Sequence, residues 1–319
     1  MPRVTKMKVL IIGGTRFQGR HLVNELLGAG HTVTVFHKGS HSIAPRTGLV
    51  NIVGDRNSQA DLNQLSGNPF DACVDTCAYF PAQISLLGDT IISKQYCLIS
   101  SVYVYSDRDA LLREDAQLCR LAGDPELGMT SENYGGFKAL CEVEASARFG
   151  AGCLIVRPSI IIGAGDHTER LLFWMRLVSV HGKFFDIADN DHVLQLVDVR
   201  DLAHFTAKCV ESARQGAVNV CGEPVYLSTL LALIANISGI PCKGASVSSS
   251  ELPALGLDKL PYCEPGHLAR HDTALSRAWG FEGRHLEDSL AEIHAHLQQL
   301  GFSMRGFQAE EAAVLRLFE

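Results

Sequence analysis

Residues 9–19 read Val9-Leu10-Ile11-Ile12-Gly13-Gly14-Thr15-Arg16-Phe17-Gln18-Gly19. Four apolar residues in succession, without polar alternation, predict a parallel strand that is buried on both faces. The apolar residues that follow are spaced as on one face of a helix: Phe17, Leu22, Val23, Leu26 and Leu27. The sequence therefore predicts a strand, a tight glycine turn and a helix at the start of an α/β fold.

The glycine turn has the properties of a dinucleotide-binding turn. Its early glycines permit positive φ angles and close backbone approach, and a helix N-terminus offers free N–H groups and a positive dipole end to a pyrophosphate. The spacing departs from G-x-x-G-x-x-G because Arg16 occupies the middle glycine position. We predict that the whole turn binds a nicotinamide dinucleotide, and the alternative is a βα turn without a ligand. The residues assigned to it are Gly13, Gly14, Thr15, Arg16, Phe17, Gln18 and Gly19.

Length and composition restrict the class of protein. The chain has 319 residues, 46% of them hydrophobic and 20% charged, which suits a globular protein with one large α/β domain or two smaller ones. The formal net charge of −7 provides no basic field, so we expect no nucleic-acid partner. No signal-peptide core follows Met1 and no apolar run approaches a membrane span, so we expect a cytoplasmic protein without membrane association.

Cysteine and histidine patterns argue against metal binding. The ten cysteines include no C-x-x-C pair, which in a cytoplasmic chain indicates buried reduced thiols rather than disulfides or a zinc site. The thirteen histidines form no H-x-x-x-H or H-E-x-x-H cluster. We predict no metal site.

The end of the second predicted strand bears on the choice between NAD and NADP. No acidic residue lies between Glu25 and Asp55 to accept the ribose hydroxyls of NAD. His37 and Lys38 stand there instead, and with Arg16 they could accommodate a 2′-phosphate. We expect NADP to be favoured over NAD, and the alternative is that these residues are solvated loop cations.

Alternating strands and helices predict a parallel, doubly wound sheet with ligands at the carboxyl ends of its strands. Asp55 and Arg56 follow the third strand and are assigned to the cofactor, Asp55 at the adenine edge. A turn-stabilising role is the alternative for Asp55. The further strands are expected at 31–36, 50–53, 70–75 and 96–100, with helices at 59–65 and 81–93.

A candidate catalytic group follows the fifth strand. Ser101 lies at its end, and Tyr134 and Lys138 fall at positions i and i+4 of a helix that Thr130 or Ser131 would cap. A tyrosine of pKa about 10 is a poor base, but a nearby ammonium and a positive nicotinamide ring favour its phenolate. A surface pair is the alternative for this spacing taken alone.

Two glycines in the first turns of this helix, Gly135 and Gly136, indicate a close contact. Each costs on the order of 1 kcal/mol relative to alanine in a helix. We therefore expect another segment to pack directly against this backbone.

Taken in order, these motifs resemble the extended short-chain dehydrogenase/reductase superfamily, in its NAD(P)-dependent epimerase/dehydratase group. The resemblance covers roughly residues 7 to 300. It rests on the turn at 13–19, Ser100-Ser101-Val102-Tyr103-Val104-Tyr105, the spacing Tyr134-x-x-x-Lys138, Val156-Arg157-Pro158 with Gly163-Ala164-Gly165-Asp166, Val197-Asp198-Val199-Arg200-Asp201-Leu202-Ala203, and Val218-Asn219-Val220.

The resemblance implies roles for these residues. Tyr134 would be the general acid/base towards a substrate hydroxyl or carbonyl, and Ser101 would hydrogen-bond the reacting oxygen. Lys138 would hold the nicotinamide ribose and lower the pKa of Tyr134. Hydride would pass between the substrate carbon and the nicotinamide C4. Arg157 and Pro158 are assigned to the cofactor site by the same resemblance.

The implied architecture is a Rossmann-type doubly wound sheet with a smaller C-terminal substrate-binding lobe. We expect residues 1–166 to form the NAD(P)-binding domain, with segments at about 190–222 returning to it, and residues 167–319 to form mainly the substrate lobe. A homodimer is also open, because relatives often dimerise through helices that include the one carrying Tyr134.

The chain departs from the family pattern in ways that restrict the substrate. Val102 and Tyr103 replace the Asp-Glu pair of sugar dehydratases, so we do not expect sugar dehydration. Leu194 and Glu264 align with two arginines that hold the diphosphate in UDP-sugar epimerases. Because a diphosphate needs cationic partners, UDP-hexose is a doubtful substrate.

The sequence therefore predicts an NAD(P)-dependent oxidoreductase acting at a secondary alcohol or ketone of a small sugar-like or secondary-metabolite substrate. One alternative is a nucleotide-sugar 4-epimerase. Another is a non-catalytic RNA-binding relative of the chloroplast stem-loop-binding proteins, which have a similar arginine-bearing glycine turn. The acidic net charge counts against RNA binding, and the set of Ser101, Tyr134 and Lys138 favours catalysis.

Overall fold

The computed structural model describes residues 5–107, 110–122, 128–188, 193–257, 259–263 and 270–319. No helix in these ranges is long and apolar enough to cross a membrane. The helices are α1 (Phe17–Gly28), α2 (Gln59–Leu62), α3 (Pro81–Thr90), α4 (Tyr134–Phe149), α5 (Arg170–His181), α6 (Val199–Glu211), α7 (Leu227–Ser238), α8 (Leu252–Leu255), α9 (Ala274–Ala278), α10 (Leu286–Gln299) and α11 (Gln308–Arg316).

The strands of the described residues differ widely in length, and the longest have six residues. They are β1 (Lys8–Ile12), β2 (Thr32–His37), β3 (Leu49–Val53), β4 (Pro69–Phe70), β5 (Ala72–Asp75), β6 (Ile92–Ser93), β7 (Tyr96–Ile99), β8 (Leu111–Leu112), β9 (Cys153–Pro158), β10 (Ile160–Ile162), β11 (Lys183–Ile187), β12 (Val193–Asp198), β13 (Gly216–Val220), β14 (Pro224–Tyr226), β15 (Lys243–Val247) and β16 (Arg270–His271).

A seven-stranded parallel sheet forms the centre of the molecule, in the order β13-β9-β7-β5-β1-β2-β3. In β1, Val9 is in register with Val33 of β2 on one side and with Ala72 of β5 on the other. The chain leaves β1 towards β2 and β3 and later returns to add β5, β7 and β9 on the opposite side. This order confirms the predicted doubly wound parallel sheet.

The two faces of β1 belong to different hydrophobic cores. Val9 and Ile11 pack in one core with residues of α1 and α6, and Leu10 and Ile12 pack in the other with residues of α3 and α4. All four side chains are buried, as the unbroken apolar run predicts. Helices therefore cover both faces of the sheet.

A third core lies in the C-terminal part of the chain, where α5, α7 and α10 pack with the small sheets. Phe173, Trp174 and Met175 are fully buried in this core. The indole Nε1 of Trp174 donates a hydrogen bond to the carbonyl oxygen of Pro261 at 2.9 Å. The third core is therefore built around α5.

Several predicted element boundaries are wrong, and the helix expected at 81–93 ends at Thr90, before strand β6. The strand expected at 70–75 is divided at Asp71, whose carboxylate accepts a hydrogen bond from the backbone N–H of Lys8. Helix α4 begins at Tyr134 after Asn133, and neither Thr130 nor Ser131 is its N-cap residue. Thr130 and Asn133 instead hydrogen-bond each other's backbone N–H groups and form a separate turn before the helix.

The first turn of α4 packs directly against the segments on either side of β8. A Cβ atom on Gly135 would lie 2.2 Å from the carbonyl oxygen of Tyr103, and one on Gly136 would lie 2.6 Å from the Cα of Leu121. Both distances are far below van der Waals contact. The contact expected at these two glycines is therefore present.

We predict that Gly135→Ala lowers the free energy of unfolding by about 1–3 kcal/mol, because the new methyl group overpacks this contact. The matched control is Gly28→Ala at the end of α1, where nothing lies within 4 Å of the added atom. That variant should be neutral or more stable by up to about 1 kcal/mol. Urea denaturation of both variants tests this, and equal stability of the two would contradict the close contact.

Candidate active site

The glycine turn between β1 and α1 has the backbone that its sequence predicts. Gly13 and Gly14 have φ angles of 98° and 81°, in the region that side chains disfavour. A Cβ atom on Gly19 would lie 2.7 Å from the Cα of Gly14, so the helix approaches the turn as closely as backbone allows. No side chain caps the N-terminus of α1, and its first N–H groups are therefore available to an anion.

A cavity of about 760 Å³ lies at the carboxyl ends of the central strands and brings most of the predicted site together. All seven residues of the turn line it, and so do Ser101, Tyr134, Lys138 and Pro158. Two other lining atoms, Nε2 of Gln18 and Oγ of Ser100, are buried without a hydrogen-bond partner in the described part of the chain. Unpaired buried polar atoms are costly, so the cavity suits a polar ligand such as a dinucleotide.

Tyr134 stands at the first position of α4 and forms a hydrogen bond with Ser101. Its ring meets that of Tyr103 edge-on, with centroids 6.3 Å apart. Burial raises the pKa of Tyr134 to about 12, against smaller lowering effects of the Ser101 hydrogen bond and the Arg170 charge. Without a ligand, Tyr134 is therefore a neutral phenol at pH 7 and is ready to donate a proton.

Lys138 is buried one turn further along α4, with 3% of its surface exposed. Its Nζ donates to the carbonyl oxygens of Ala78 and Ile99 at 2.8 and 2.7 Å, and burial lowers its pKa. An ammonium group has three N–H bonds, so one remains for a ligand in the cavity. Lys138 is not among the principal groups that shift the pKa of Tyr134 in the described residues, whereas Arg170 is.

Sequence reasoning missed Arg170. It is the first residue of α5, it lines the same cavity, and its Nε donates to Oγ1 of Thr168 at 3.2 Å. The available signal was the polar run from Asp166 to Arg170 directly before a wholly apolar helix face. That run ends a strand-and-loop segment at the ligand-binding edge of the sheet.

The predicted 2′-phosphate ligands are not all brought to the cavity. His37 is buried, with Nε2 2.6 Å from Oδ1 of Asn51 and Nδ1 accepting a hydrogen bond from the backbone N–H of Gly39. Both ring nitrogens are therefore engaged within the protein. Lys38, with 66% of its side chain exposed, forms an ion pair with Asp55. Neither residue is among the described residues that line the cavity.

Asp55 and Arg56 also have partners within the protein. Asp55 accepts hydrogen bonds from the backbone and side chain of Asn57, as a turn-stabilising aspartate does. Both terminal nitrogens of Arg56 donate to the buried Asp75 carboxylate at 2.7 Å, and the Tyr96 hydroxyl donates to it at 2.8 Å. Burial acts to raise the pKa of Asp75, but these partners lower it overall. Arg56 therefore ties the end of β3 to the end of β5.

The Arg157 side chain is held in a buried network instead of facing the cavity. Its guanidinium donates to both carboxylate oxygens of Glu142, as close as 2.7 Å, and to the Tyr105 hydroxyl at 2.8 Å. The Tyr105 hydroxyl in turn donates to Oδ1 of Asn219 at 2.6 Å. This network joins α4 to β9 and β13. The assignment of the Arg157 side chain to the cofactor therefore does not fit its position, whereas the adjoining Pro158 does line the cavity.

Comparison with known proteins supports the fold. Neither a protein-family model nor a curated protein matches the sequence. The structure of MoeE5 with UDP-glucose and NAD is 18% identical, with a TM-score of 0.70 over 92% of this chain and 99% of MoeE5. A UDP-glucose 4-epimerase is 14% identical, with a TM-score of 0.71 over 94% of this chain and 100% of its own.

A third solved structure, Bordetella bronchiseptica WbmH with NAD⁺, is 18% identical, with a TM-score of 0.70 over 93% of this chain and 100% of WbmH. At such identities the likeness establishes the fold and nothing finer. It confirms the Rossmann-type doubly wound fold that the sequence motifs imply.

We predict that Arg157→Met lowers the free energy of unfolding by about 3–5 kcal/mol, because Glu142 would remain buried without its partner. Replacing both residues, as in Glu142→Leu with Arg157→Met, should restore most of that loss. Denaturant unfolding measures both effects. If Arg157→Met kept its stability but bound NAD(P)H at least about tenfold more weakly, Arg157 would instead be a cofactor-binding residue.

Proposed function

We propose that this protein is an NAD(P)-dependent oxidoreductase that acts at a secondary alcohol or ketone carbon of a small substrate. The observation that carries the proposal is that Ser101, Tyr134 and Lys138 line one cavity with the glycine turn. An acid, a hydroxyl donor and a buried ammonium beside a dinucleotide turn are the groups that such hydride transfer requires.

In the direction of reduction, the substrate carbonyl oxygen would lie between the hydroxyls of Ser101 and Tyr134. Tyr134 donates its proton to that oxygen, because burial keeps the phenol protonated. The phenolate left behind is stabilised by the Ser101 hydrogen bond and by the charge of Arg170. Lys138 offers its remaining N–H to a ribose hydroxyl. A bound NAD(P) would supply the hydride donor or acceptor.

A nucleotide-sugar 4-epimerase is the second candidate, and the observation in its favour is the fold shared with a UDP-glucose 4-epimerase. Against it, Leu194 is 2% exposed in β12 and pairs with Val225 of β14, so this position offers nothing to a diphosphate. Glu264, at the other expected arginine position, lies outside the described residues. RNA binding is the third candidate, and the net charge of −7 still counts against it.

The first experiment is a fluorescence titration of cofactor-stripped protein with NADPH and with NADH, followed by a 340 nm screen of ketones and secondary alcohols. We expect binding of a reduced cofactor and turnover of at least one substrate. In Tyr134→Phe, turnover should fall by about 10²–10⁴-fold, because the proton donor is removed, while cofactor affinity stays within about twofold. Tyr226→Phe, an exposed tyrosine outside the cavity, is the matched control.

The rates of reduction and of oxidation should change in opposite directions as the pH rises. Reduction needs the protonated phenol, so its rate should be level near neutrality and fall as the pH approaches the pKa of Tyr134. Oxidation needs the phenolate, so its rate should rise over the same range. Full turnover by Tyr134→Phe would overturn the mechanism, and failure to bind either cofactor would overturn the proposal and direct the next test to RNA.

For the cofactor preference, we propose that NADP is favoured over NAD through Arg16 and Lys38, without His37. Lys38→Gln should weaken NADPH binding by about 5–10-fold, because a charge-assisted contact to the 2′-phosphate is lost. Its effect on NADH should be less than about twofold. His37→Gln is the comparison, with equal effects on both cofactors. A wild-type protein that binds NADH more tightly than NADPH would refute this assignment.

A further inference from the structure

Arg170 brings to the cavity a guanidinium group that forms no ion pair with a carboxylate of the described residues. In the described part of the chain its one hydrogen bond runs from Nε to Thr168, and no carboxylate forms an ion pair with it. Both terminal nitrogens of the guanidinium are therefore left without an acceptor. Because a guanidinium has five N–H donors in a planar fork, this arrangement is suited to an oxyanion.

The acidic residues beside Arg170 are engaged elsewhere. Asp166 accepts from the backbone N–H of Thr168 at 2.9 Å and from its hydroxyl at 2.8 Å. Glu169 accepts from the backbone N–H groups of Arg305 and Gly306 at 3.0 and 2.7 Å. Both carboxylates have these partners, and neither forms an ion pair with Arg170 in the described ranges, although Asp166 is near enough to raise the pKa of Arg170.

Tyr262 supplies a second, independent observation. Its side chain is 5% exposed, and its hydroxyl has no hydrogen-bond partner among the described residues. Burial raises the pKa of Tyr262, and the charge of Arg170 acts in the opposite direction, so the two groups lie within electrostatic reach. A buried phenol is a donor that is costly to leave unpaired, and we assign to it, as part of the proposal below, the anion that Arg170 would hold.

The start of α5 adds to the positive potential. The helix has twelve residues and begins at Arg170, and no side chain caps its N-terminus. Its N-cap residue, Glu169, has a φ angle of 58°, a conformation that non-glycine residues adopt at a cost. The first N–H groups and the dipole of the helix therefore favour negative charge in the region of the guanidinium.

We propose that Arg170 and the Tyr262 hydroxyl form a subsite for a carboxylate group of the substrate. This inference rests on the proposed function and narrows its substrate to a ketone or secondary alcohol that also carries a carboxylate. A carboxylate suits the subsite better than a phosphate, because one guanidinium matches a single negative charge. The nearby Asp166 carboxylate would repel a dianion.

The test is calorimetric titration of the NADP⁺-loaded protein and of the ligand-free protein with three probes: pyruvate, its neutral amide, and inorganic phosphate. We expect pyruvate to bind at least about tenfold more tightly than the amide, because only the acid makes charge-assisted hydrogen bonds. Arg170→Gln should weaken pyruvate binding at least about tenfold and Tyr262→Phe about 3–10-fold. Cofactor affinity should change less than about twofold.

Arg20→Gln, an exposed arginine on α1, is the matched control and should bind pyruvate as the wild type does. Arg170→Lys keeps the positive charge but loses the planar, bidentate donor arrangement of the guanidinium. It replaces Arg170→Gln in the test if the glutamine variant does not fold. Equal pyruvate binding by wild type and Arg170 variants, or tighter binding of phosphate than of pyruvate, would overturn the subsite. Failure of NADPH to bind would overturn the proposed function instead. Titration of the ligand-free protein with pyruvate would still show whether the carboxylate subsite exists.

Discussion

The contact between the first turn of α4 and the segments after β7 determines where Tyr134 and Lys138 lie. Gly135 and Gly136 let the helix backbone reach van der Waals distance of its neighbours, and any side chain there would displace it. Lys138 then fixes the rotation of the helix, because its ammonium is held by the carbonyl oxygens of Ala78 and Ile99. Tyr134 is the first residue of the same helix, so both contacts determine where its backbone lies. The position of the proposed proton donor therefore depends on two glycines and one buried cation.

Charged residues at the carboxyl edge of the sheet divide into two groups. Those with buried partners, Arg56 with Asp75 and Arg157 with Glu142, hold strands and α4 together. The other group comprises residues that line the cavity, among them small and hydroxyl-bearing residues of the glycine turn and of the segment after β7. Arg170 belongs with the second group, because its terminal nitrogens have no partner in the described ranges. The residues that we propose as ligand-binding therefore differ from the structural ones in having no partner within the described residues, rather than in their charge.

Local sequence features predicted much of this arrangement. The buried strand β1, the glycine turn and the close packing at Gly135 depend on residues adjacent in the chain. Each of them can therefore be predicted from a short local pattern, such as an apolar run or a glycine. The partners of His37, Arg56 and Arg157 could not be found in this way, since they lie 14, 19 and 15 positions away. Which of them meet depends on how strands are ordered in the sheet. The sequence therefore predicted His37, at the end of β2, as a phosphate ligand, because its partner Asn51 could not be identified from the sequence.

The order in which the strands occur along the chain also determines when the central sheet can be completed during synthesis. Strand β13, which covers the outer edge of β9, and helix α6, which packs on α1, both lie beyond residue 198. A nascent chain that has emerged only as far as β9 presents an open strand edge and an uncovered apolar face. The N-terminal half therefore needs some sixty further residues before its sheet is complete, and until then its open edge and apolar face are sites at which a nascent chain can aggregate.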